Sequence, residues 1–159
     1  MISNTDHIKK SEVLHLECLG CDLANKNETV YVVFEDEFVC CILDHAPYNE
    51  GHVLILPKEH VRYFDELDEN TAKSLTKAAA IISKSIKKLY VPNGITVCQN
   101  GCYFNELTHF HMHLIPRYKG QNFADFYLEG NTNYIEDKSN LEETKRKFVN
   151  SIKDLNYGG

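Results

Sequence analysis

The chain has 159 residues, of which 43% are hydrophobic and 25% are charged, and its formal net charge is −6. This length and composition suit one compact domain with an ordinary hydrophobic core that needs no disulfide bridges. The negative net charge and the scattered basic residues argue against a nucleic-acid-binding protein, and no apolar stretch is long enough to predict a membrane span.

A hairpin and a third strand are the first predicted elements. Residues 29–34 and 38–43 are rich in β-branched and aromatic side chains, and the three acidic residues between them predict a turn. A second turn, with Pro, Asn and Gly, follows over 44–51. It leads into a strand over 52–57, which places His52 at the entrance of that strand.

A long amphipathic helix and two further strands are predicted next. From Asp68 onward, apolar residues recur at spacings of three and four, which predicts one buried stripe. The stripe consists of Ala72, Leu75, Ala79, Ile82, Ile86 and Leu89. Asp68 or Asn70 can cap the helix at its N-terminus, and Pro92 lies beyond its end. Strands are then expected over 95–99 and 108–115.

The C-terminal part of the chain is less regular. Residues 119–139 mix aromatic residues with Gly and Asn and predict no element. A terminal amphipathic helix is expected from the apolar residues Leu141, Phe148, Ile152 and Leu155. Neither an internal repeat nor an interdomain linker is visible, so we expect a single domain over residues 1–159.

Three histidines alternate with apolar residues in the last predicted strand: His109, His111 and His113. Because side chains alternate across a strand, this pattern directs the three rings to one face and the apolar residues to the core. An imidazole titrates near neutrality, so it can attack phosphorus or give a proton to a leaving group. The pattern predicts an active site for phosphate-linked groups. The alternatives are a surface feature without function and a catalytic metal held by two of the histidines and a third ligand.

The segment 109–115 matches at every position the H-φ-H-φ-H-φ-φ motif of the histidine triad (HIT) family, which the sequence therefore resembles. Residues 51–60 are similar to the G-H-x-L-x-x-P-x-x-H segment that these proteins carry before their long helix. The resemblance covers about residues 15–118 and leaves 119–159 as a C-terminal extension. It implies an α+β fold with a five-stranded antiparallel sheet, the long helix and the C-terminal helix, commonly as a homodimer.

The resemblance implies a nucleotide hydrolase or nucleotidyl transferase that acts on a nucleoside-phosphate conjugate, for example a purine nucleotide phosphoramidate or phosphoanhydride. In the family the middle histidine is the nucleophile that forms a covalent nucleotidyl intermediate, a role that falls on His111. His113 and His52 become its partners in the site. Asp44 matches the acidic residue that binds the ribose hydroxyls, and Asn100 matches a polar residue near the phosphate.

The chain departs from the family pattern just before the triad, where many relatives have Gln or Ser and this chain has Glu106. A carboxylate at this position would repel an anionic substrate unless it is protonated or points away. Thr108 can supply the missing hydroxyl group to the substrate. Glu106 also motivates an alternative from another class, a non-catalytic nucleotide-binding regulatory protein.

The chain has six cysteines, and we expect them to be reduced. The N-terminus carries no secretory signal, so a cytoplasmic location is predicted, and a reducing cytoplasm disfavours disulfide bridges. Three of the cysteines lie in apolar strand sequence and are expected in the core: Cys40, Cys41 and Cys98.

Cys18 and Cys21 have the C-x2-C spacing of a zinc site, but they supply only half of a tetrahedral ligand set. In some bacterial HIT proteins and in the related galactose-1-phosphate uridylyltransferases, two histidines complete such a site. These are the histidine that ends the P-x-x-H segment and the first histidine of the triad, here His60 and His109. The resemblance therefore implies a structural zinc ion. A redox-active pair and simple burial of the thiols are the alternatives.

Overall fold

The computed structural model describes residues 18–101, 104–105, 107–122, 124 and 140–157. In these residues we number the helices and strands α1 (Leu19–Ala24), β1 (Val32–Glu35), β2 (Val39–Leu43), β3 (Val53–Pro57), α2 (Glu69–Tyr90), β4 (Gly94–Cys98), β5 (Met112–Arg117) and α3 (Leu141–Tyr157). The strands form one antiparallel sheet in the order β1-β2-β3-β5-β4. The predicted α+β fold with a five-stranded antiparallel sheet is confirmed.

A single carboxylate, that of Asp36, fixes the hairpin between β1 and β2 to the long helix. Its Oδ1 accepts hydrogen bonds from the backbone N–H groups of Phe38 and Val39, at 2.9 and 3.0 Å, as in other turns closed by an acidic side chain. Its Oδ2 accepts from the hydroxyl of Ser74 on α2. The turn that the acidic residues predicted is therefore also a tertiary contact.

The helix α2 begins where the sequence predicts, because Asp68 is its N-cap and accepts from the backbone N–H groups of Asn70 and Thr71. The helix ends at Tyr90, and the next residue, Val91, has a left-handed φ of 44°. The predicted stripe faces the sheet, with Leu75, Ile82 and Ile86 buried.

The two faces of the sheet are covered unequally. The long helices α2 and α3 pack on one face, and the main core lies between them and the sheet. The short helix α1 packs on the other face, where a smaller apolar cluster includes Ala24, Ile42 and Leu54. None of the helices in the described part of the chain has the length and apolar character that a membrane span requires.

The last predicted strand is wrong at its start, since β5 begins at Met112 rather than at residue 108. Thr108 has a left-handed φ of 50°, which reverses the chain just before the triad. The backbone N–H of Phe110 donates to Val61 O at 2.6 Å instead of pairing within the sheet. The side-chain amide of Asn105 donates to His109 O at 2.8 Å and holds the turn. The first two histidines of the triad therefore precede the strand.

Two further differences concern α1 and Cys98. The helix α1 was not predicted, because it has only six residues and includes Gly20, a poor helix former. Cys40 and Cys41 are fully buried as expected, but Cys98 is only partly buried. Its core position was a wrong prediction, because β4 is an edge strand of the sheet.

Candidate active site and metal centre

Asp44, His52 and His113 lie side by side on the face of the sheet opposite α2 and α3. Leu54 on β3 lies opposite His113 on β5, and residues two apart along a strand share a face, so His52 is a diagonal neighbour of His113. The backbone N–H of Asp44 donates to His52 O at 3.0 Å and extends the pairing of β2 with β3. The Nε2 atom of His52 is 2.9 Å from His113 Nδ1 and 3.5 Å from Asp44 Oδ2.

His111 joins this group from the turn before β5. Its ring centroid is 4.8 Å from that of His113, which in turn is 5.2 Å from that of His52. The three histidines are buried, with exposed fractions of 8% or less. Phe110 and Leu114, which alternate with them, are fully buried in the main core. Phe110 and Leu114 therefore lie in the core as predicted, but only His111 and His113 of the triad belong to this cluster, so the prediction that all three rings share one face of a strand is wrong for His109.

A chain of hydrogen bonds fixes which nitrogen of each ring carries the proton. The backbone N–H of Tyr48 donates to His52 Nδ1 at 3.0 Å, so the proton of a neutral His52 is on Nε2. This Nε2–H donates to His113 Nδ1, which leaves the proton of His113 on its own Nε2. His113 therefore presents an N–H donor on the side of the ring away from His52.

His111 has the opposite arrangement. Its Nδ1 is 3.0 Å from the backbone carbonyl of His109, which can only accept, so Nδ1 carries the proton. In the neutral ring, the Nε2 atom then keeps its lone pair. The cluster thus combines one unprotonated ring nitrogen on His111 with one N–H donor on His113.

Burial favours the neutral forms of His52 and His113. It lowers the pKa of His52 from 6.5 to about 3, and the positive charge of a protonated His111 acts in the same direction. Burial also lowers the pKa of His113, with further lowering by His52 and His111, while Asp44 opposes the shift. Neutral rings near pH 7 are the state in which the hydrogen-bond chain holds.

This burial predicts a loss of stability in acid. A histidine with a pKa of 6.5 when unfolded and about 3 when folded contributes its full stability above pH 6.5 and loses it as the pH falls. Between pH 6 and pH 5, we expect the free energy of unfolding to fall by about 1 kcal/mol more in the wild type than in His52→Asn. Denaturant unfolding at several pH values measures this difference. Equal slopes for the two proteins would contradict the neutral assignment of His52.

A second cluster lies beside the first and consists of Cys18, Cys21, His60 and His109. The four ligand atoms lie within 4.8 Å of one another. His109 Nδ1 is 3.6 Å from Cys18 Sγ and 3.5 Å from Cys21 Sγ, and His60 Nδ1 is 3.2 Å from Cys21 Sγ. A tetrahedral zinc ion with bonds of about 2.3 Å to sulfur and about 2.0 Å to nitrogen separates such atoms by about 3.5 Å. The spacing of these donors fits zinc.

The protonation of the cluster also fits a metal ion. The Nε2 atom of His109 is 2.9 Å from the carbonyl of Pro57, so it carries the proton, and Nδ1, which lies beside both thiols, keeps the lone pair that a cation would take. Burial raises the pKa of the Cys21 thiol to about 12, with the neighbouring Cys18 acting in the same direction. A buried thiolate here requires a cation to compensate its charge.

Gly20 allows α1 to approach His109. A Cβ atom at this position would lie 2.1 Å from the Cβ of His109, which no packing tolerates. The glycine between the two cysteines therefore brings both thiols against the ring that completes the set.

This contact predicts that Gly20→Ala is destabilising, although alanine in a helix is normally better than glycine by about 1 kcal/mol. We expect the free energy of unfolding to fall by about 2 kcal/mol, because α1 must move away from His109. Gly94→Ala is the matched control, since nothing lies within 4 Å of a Cβ there. Thermal unfolding and zinc content measure the effect. A Gly20→Ala protein as stable as wild type and with wild-type zinc content would refute it.

Within the first cluster, the side chains of Asp44, His52 and His113 also have possible metal-binding atoms close together. Their hydrogen bonds argue against a metal ion, because Tyr48 N–H occupies His52 Nδ1 and leaves the proton on Nε2. A cation bound to His52 Nε2 would have to displace this proton. The neutral ring would then carry its proton on Nδ1, where it would face the N–H of Tyr48. The geometry therefore disfavours the catalytic-metal alternative.

Comparison with known proteins identifies the family of the chain. The HIT domain profile matches residues 25–120. An uncharacterised HIT-like protein of Borreliella burgdorferi is 32% identical over 144 residues, which are 88% of this chain and 98% of that protein. The chain belongs to the HIT family.

Solved structures of the HIT family share the fold. A hypothetical histidine triad nucleotide-binding protein of Sulfolobus tokodaii has a TM-score of 0.73 at 29% identity, and the match covers 87% of this chain and 93% of that one. A zinc-bound histidine triad family protein of Mycobacterium smegmatis has a TM-score of 0.73 at 21% identity, with 91% and 99% covered. Among relatives named for an activity is the adenylylsulfatase HINT3 of Arabidopsis thaliana, 28% identical over 72% of this chain and 59% of its own length.

Three further residues were singled out by comparison with the HIT family: Asn100, Glu106 and Thr108. Asn100 follows β4, whose last residue, Cys98, pairs with His113 on β5. Thr108 is exposed at the turn before the triad. Glu106 lies outside the described residues. Contacts of Asn100 and Thr108 with a substrate stay predictions.

Backbone groups of the HIT site were missed by the sequence analysis. The N–H of Tyr48 and the carbonyl groups of Pro57 and His109 set the protonation of the histidines, and backbone atoms leave no residue-type signature. Gly20 could have been noticed, because a glycine between two proposed ligands indicates a close approach.

Proposed function

We propose that the protein is a nucleotide hydrolase or nucleotidyl transferase that acts at the α-phosphate of a nucleoside-phosphate conjugate. The observation that carries the proposal is the pair of complementary ring nitrogens, an unprotonated Nε2 on His111 and an N–H donor on His113, with ring centroids 4.8 Å apart. Family membership supports a nucleotide substrate, and the adenylylsulfatase among the relatives supports chemistry at a nucleotide phosphate.

In the proposed mechanism, His111 Nε2 attacks the α-phosphorus while its Nδ1–H donates to His109 O, which stabilises the positive charge that develops on the ring. A phosphorus–nitrogen bond forms, and the bond from phosphorus to the leaving group breaks. The Nε2–H of His113 donates to the phosphate or to the departing atom. Water or another acceptor then releases the nucleotide. In hydrolysis, water supplies the hydroxyl on phosphorus and the proton on the leaving group.

The proposed substrate contacts lie around this pair. One carboxylate oxygen of Asp44 accepts a hydrogen bond from the backbone N–H of Ala46 at 2.9 Å, and the other lies 3.5 Å from His52 Nε2. The side chain of Asp44 is 20% exposed. A partly exposed acceptor at this position suits the ribose hydroxyls. Asn100 and Thr108 are proposed to contact the phosphate and its substituent.

We also propose a structural zinc ion on Cys18, Cys21, His60 and His109. When bound, the ion supplies a rigid tetrahedral link and no open position for chemistry. His109 connects the two clusters, because its ring belongs to the metal set and its carbonyl accepts from His111. The metal centre is thereby proposed to hold the nucleophile in place. A cytoplasmic location and a homodimer stay predictions.

Turnover of an adenosine phosphoramidate, with zinc determined on the same sample, tests the proposed function. We expect a burst of released amine followed by slower steady turnover, the signature of a covalent intermediate that breaks down more slowly than it forms. Quenching in denaturant at alkaline pH, which preserves a phosphorus–nitrogen bond to histidine, should trap the labelled nucleotide on the protein. Nucleotide binding without burst or turnover would instead support the non-catalytic regulatory protein, and Glu106→Gln would then be the variant to examine.

A further inference from the structure

The loop between β2 and β3 closes tightly around His52. Within it, the N–H of His52 donates to Asn49 O at 3.1 Å, and the N–H of Tyr48 donates to the ring of His52 at 3.0 Å. Gly51 has a left-handed φ of 88°, and a Cβ there would lie 2.4 Å from the ring of Tyr90. The protonation of His52 therefore depends on where this loop lies.

Glu50 anchors the loop to the C-terminal helix. Its Oε1 accepts from Lys147 Nζ at 2.9 Å, and the hydroxyl groups of Tyr90 and Thr144 lie 3.4 Å from the same oxygen. Lys147 and Thr144 belong to α3, and Tyr90 is the last residue of α2. All three partners thus come from the helical side of the sheet, while Glu50 is two residues from His52.

A second anchor holds the other side of the same loop. Asn49 and Gln121 exchange two hydrogen bonds between their side-chain amides, at 2.9 and 3.0 Å, and Asn49 also donates to Pro116 O at 2.7 Å. The guanidinium of Arg117 lies 5.1 Å above the ring of Tyr48. These contacts attach the loop to the end of β5, so a loss of the Glu50 anchor would tilt the loop rather than release it.

We propose that Glu50 and Lys147 are positioning residues, through which the C-terminal helix holds Tyr48 N–H against His52 and so sets the proton donor of His113. The inference rests on the proposed function and extends the catalytic apparatus to α3. This helix lies outside residues 25–120, which the family profile matches.

The exposure of the ion pair separates this role from simple stabilisation. The side chains of Glu50 and Lys147 are 43% and 41% exposed, and pairs of this kind add little to stability. Removing the pair should therefore lower Tm by no more than about 5 °C. A hydrogen-bonded histidine pair is far more sensitive, because a displacement of about 1 Å near a reacting group can cost about 100-fold in rate.

The kinetic test compares Lys147→Met and Glu50→Gln with Lys153→Met, an exposed lysine on the same helix. We expect kcat for the adenosine phosphoramidate to fall about tenfold in the first two variants, with KM within about twofold of wild type. Lys147→Arg should restore most of the kcat, and the double variant should lose no more than either single one. Lys153→Met should match the wild type.

The spectroscopic test uses the ¹⁵N chemical shifts of the histidine rings, which distinguish a protonated from an unprotonated nitrogen. Lys147→Met should change the shifts of His52 and His113, and Lys153→Met should not. If the wild type does not turn over the phosphoramidate but Lys147→Met still changes these shifts, the positioning role is supported and only the proposed function fails. Wild-type shifts and wild-type kcat in folded Lys147→Met would overturn the inference. If Lys147→Met does not fold, Glu50→Gln decides by the same readouts.

Discussion

His111→Ala should lower kcat for an adenosine phosphoramidate by at least about 10⁴-fold, because it removes the nucleophile on which both steps of the proposed mechanism depend. The remaining donors, including His113 N–H, can bind and polarise the phosphate but cannot form the covalent intermediate. Samples quenched in denaturant at alkaline pH should therefore contain no labelled protein. Nucleotide affinity should change far less than kcat, since binding uses other groups.

The control for this variant is its metal content and stability. The side chain of His111 bonds to the backbone carbonyl of His109, which is not one of the proposed ligand atoms, so His111→Ala should retain about one zinc ion per chain. Added imidazole should restore part of the activity to His111→Gly. Substantial turnover by His111→Ala, with a trapped intermediate, would place the nucleophile elsewhere.

Cys21→Ser should have the largest effect on stability. Its Sγ atom lies within 3.5 Å of both histidines of the metal cluster, and a hydroxyl group is a much weaker zinc ligand than a thiolate. We expect zinc content near zero and a loss of about 4 kcal/mol in the free energy of unfolding, the contribution of a ligand present at about 1,000 times its Kd. This loss corresponds to a decrease in Tm of about 10 °C. Calorimetry and metal analysis measure both quantities.

The same variant should lose activity without losing an active-site residue. Because the carbonyl of His109 orients His111, release of the His109 ring should lower kcat about tenfold or more, as for other groups that support metal ligands. Cys98→Ser is the control for loss of a thiol, and it should keep its zinc and its stability. A Cys21→Ser protein with wild-type zinc content and Tm would contradict the proposed metal centre.

The sheet and the long helix could be predicted from the sequence because their signals are local. The β-branched runs, the acidic turn at Asp36 and the cap at Asp68 each act within a few residues, and the structure has the elements where these signals lie. The start of β5 could not be predicted in this way. Its position depends on Val61, which binds the backbone of Phe110 from a distant segment.

The candidate site shows the same division. The residue types of His52, His111 and His113 were visible as motifs, and the sheet brings them together. The separation of His109 from the other two was visible only through the cysteine pair and the family resemblance. The contribution of Lys147 was hidden, because an exposed lysine on an amphipathic helix has no distinguishing pattern.

The sequence separation between Cys18 and His109, 91 positions, has a consequence for the order of folding. Bringing the two ends of a flexible segment of this length together costs about 4 kcal/mol of chain entropy. In an unfolded chain, the bonds of zinc to Cys18 and His109 would have to offset this cost. Pairing of β2, β3 and β5 removes most of this cost by shortening the path between the ligands. We therefore expect zinc to bind late, to a sheet already assembled, in contrast to zinc fingers, whose folding the metal initiates. The metal centre would then stabilise a fold that has already formed, rather than direct its formation.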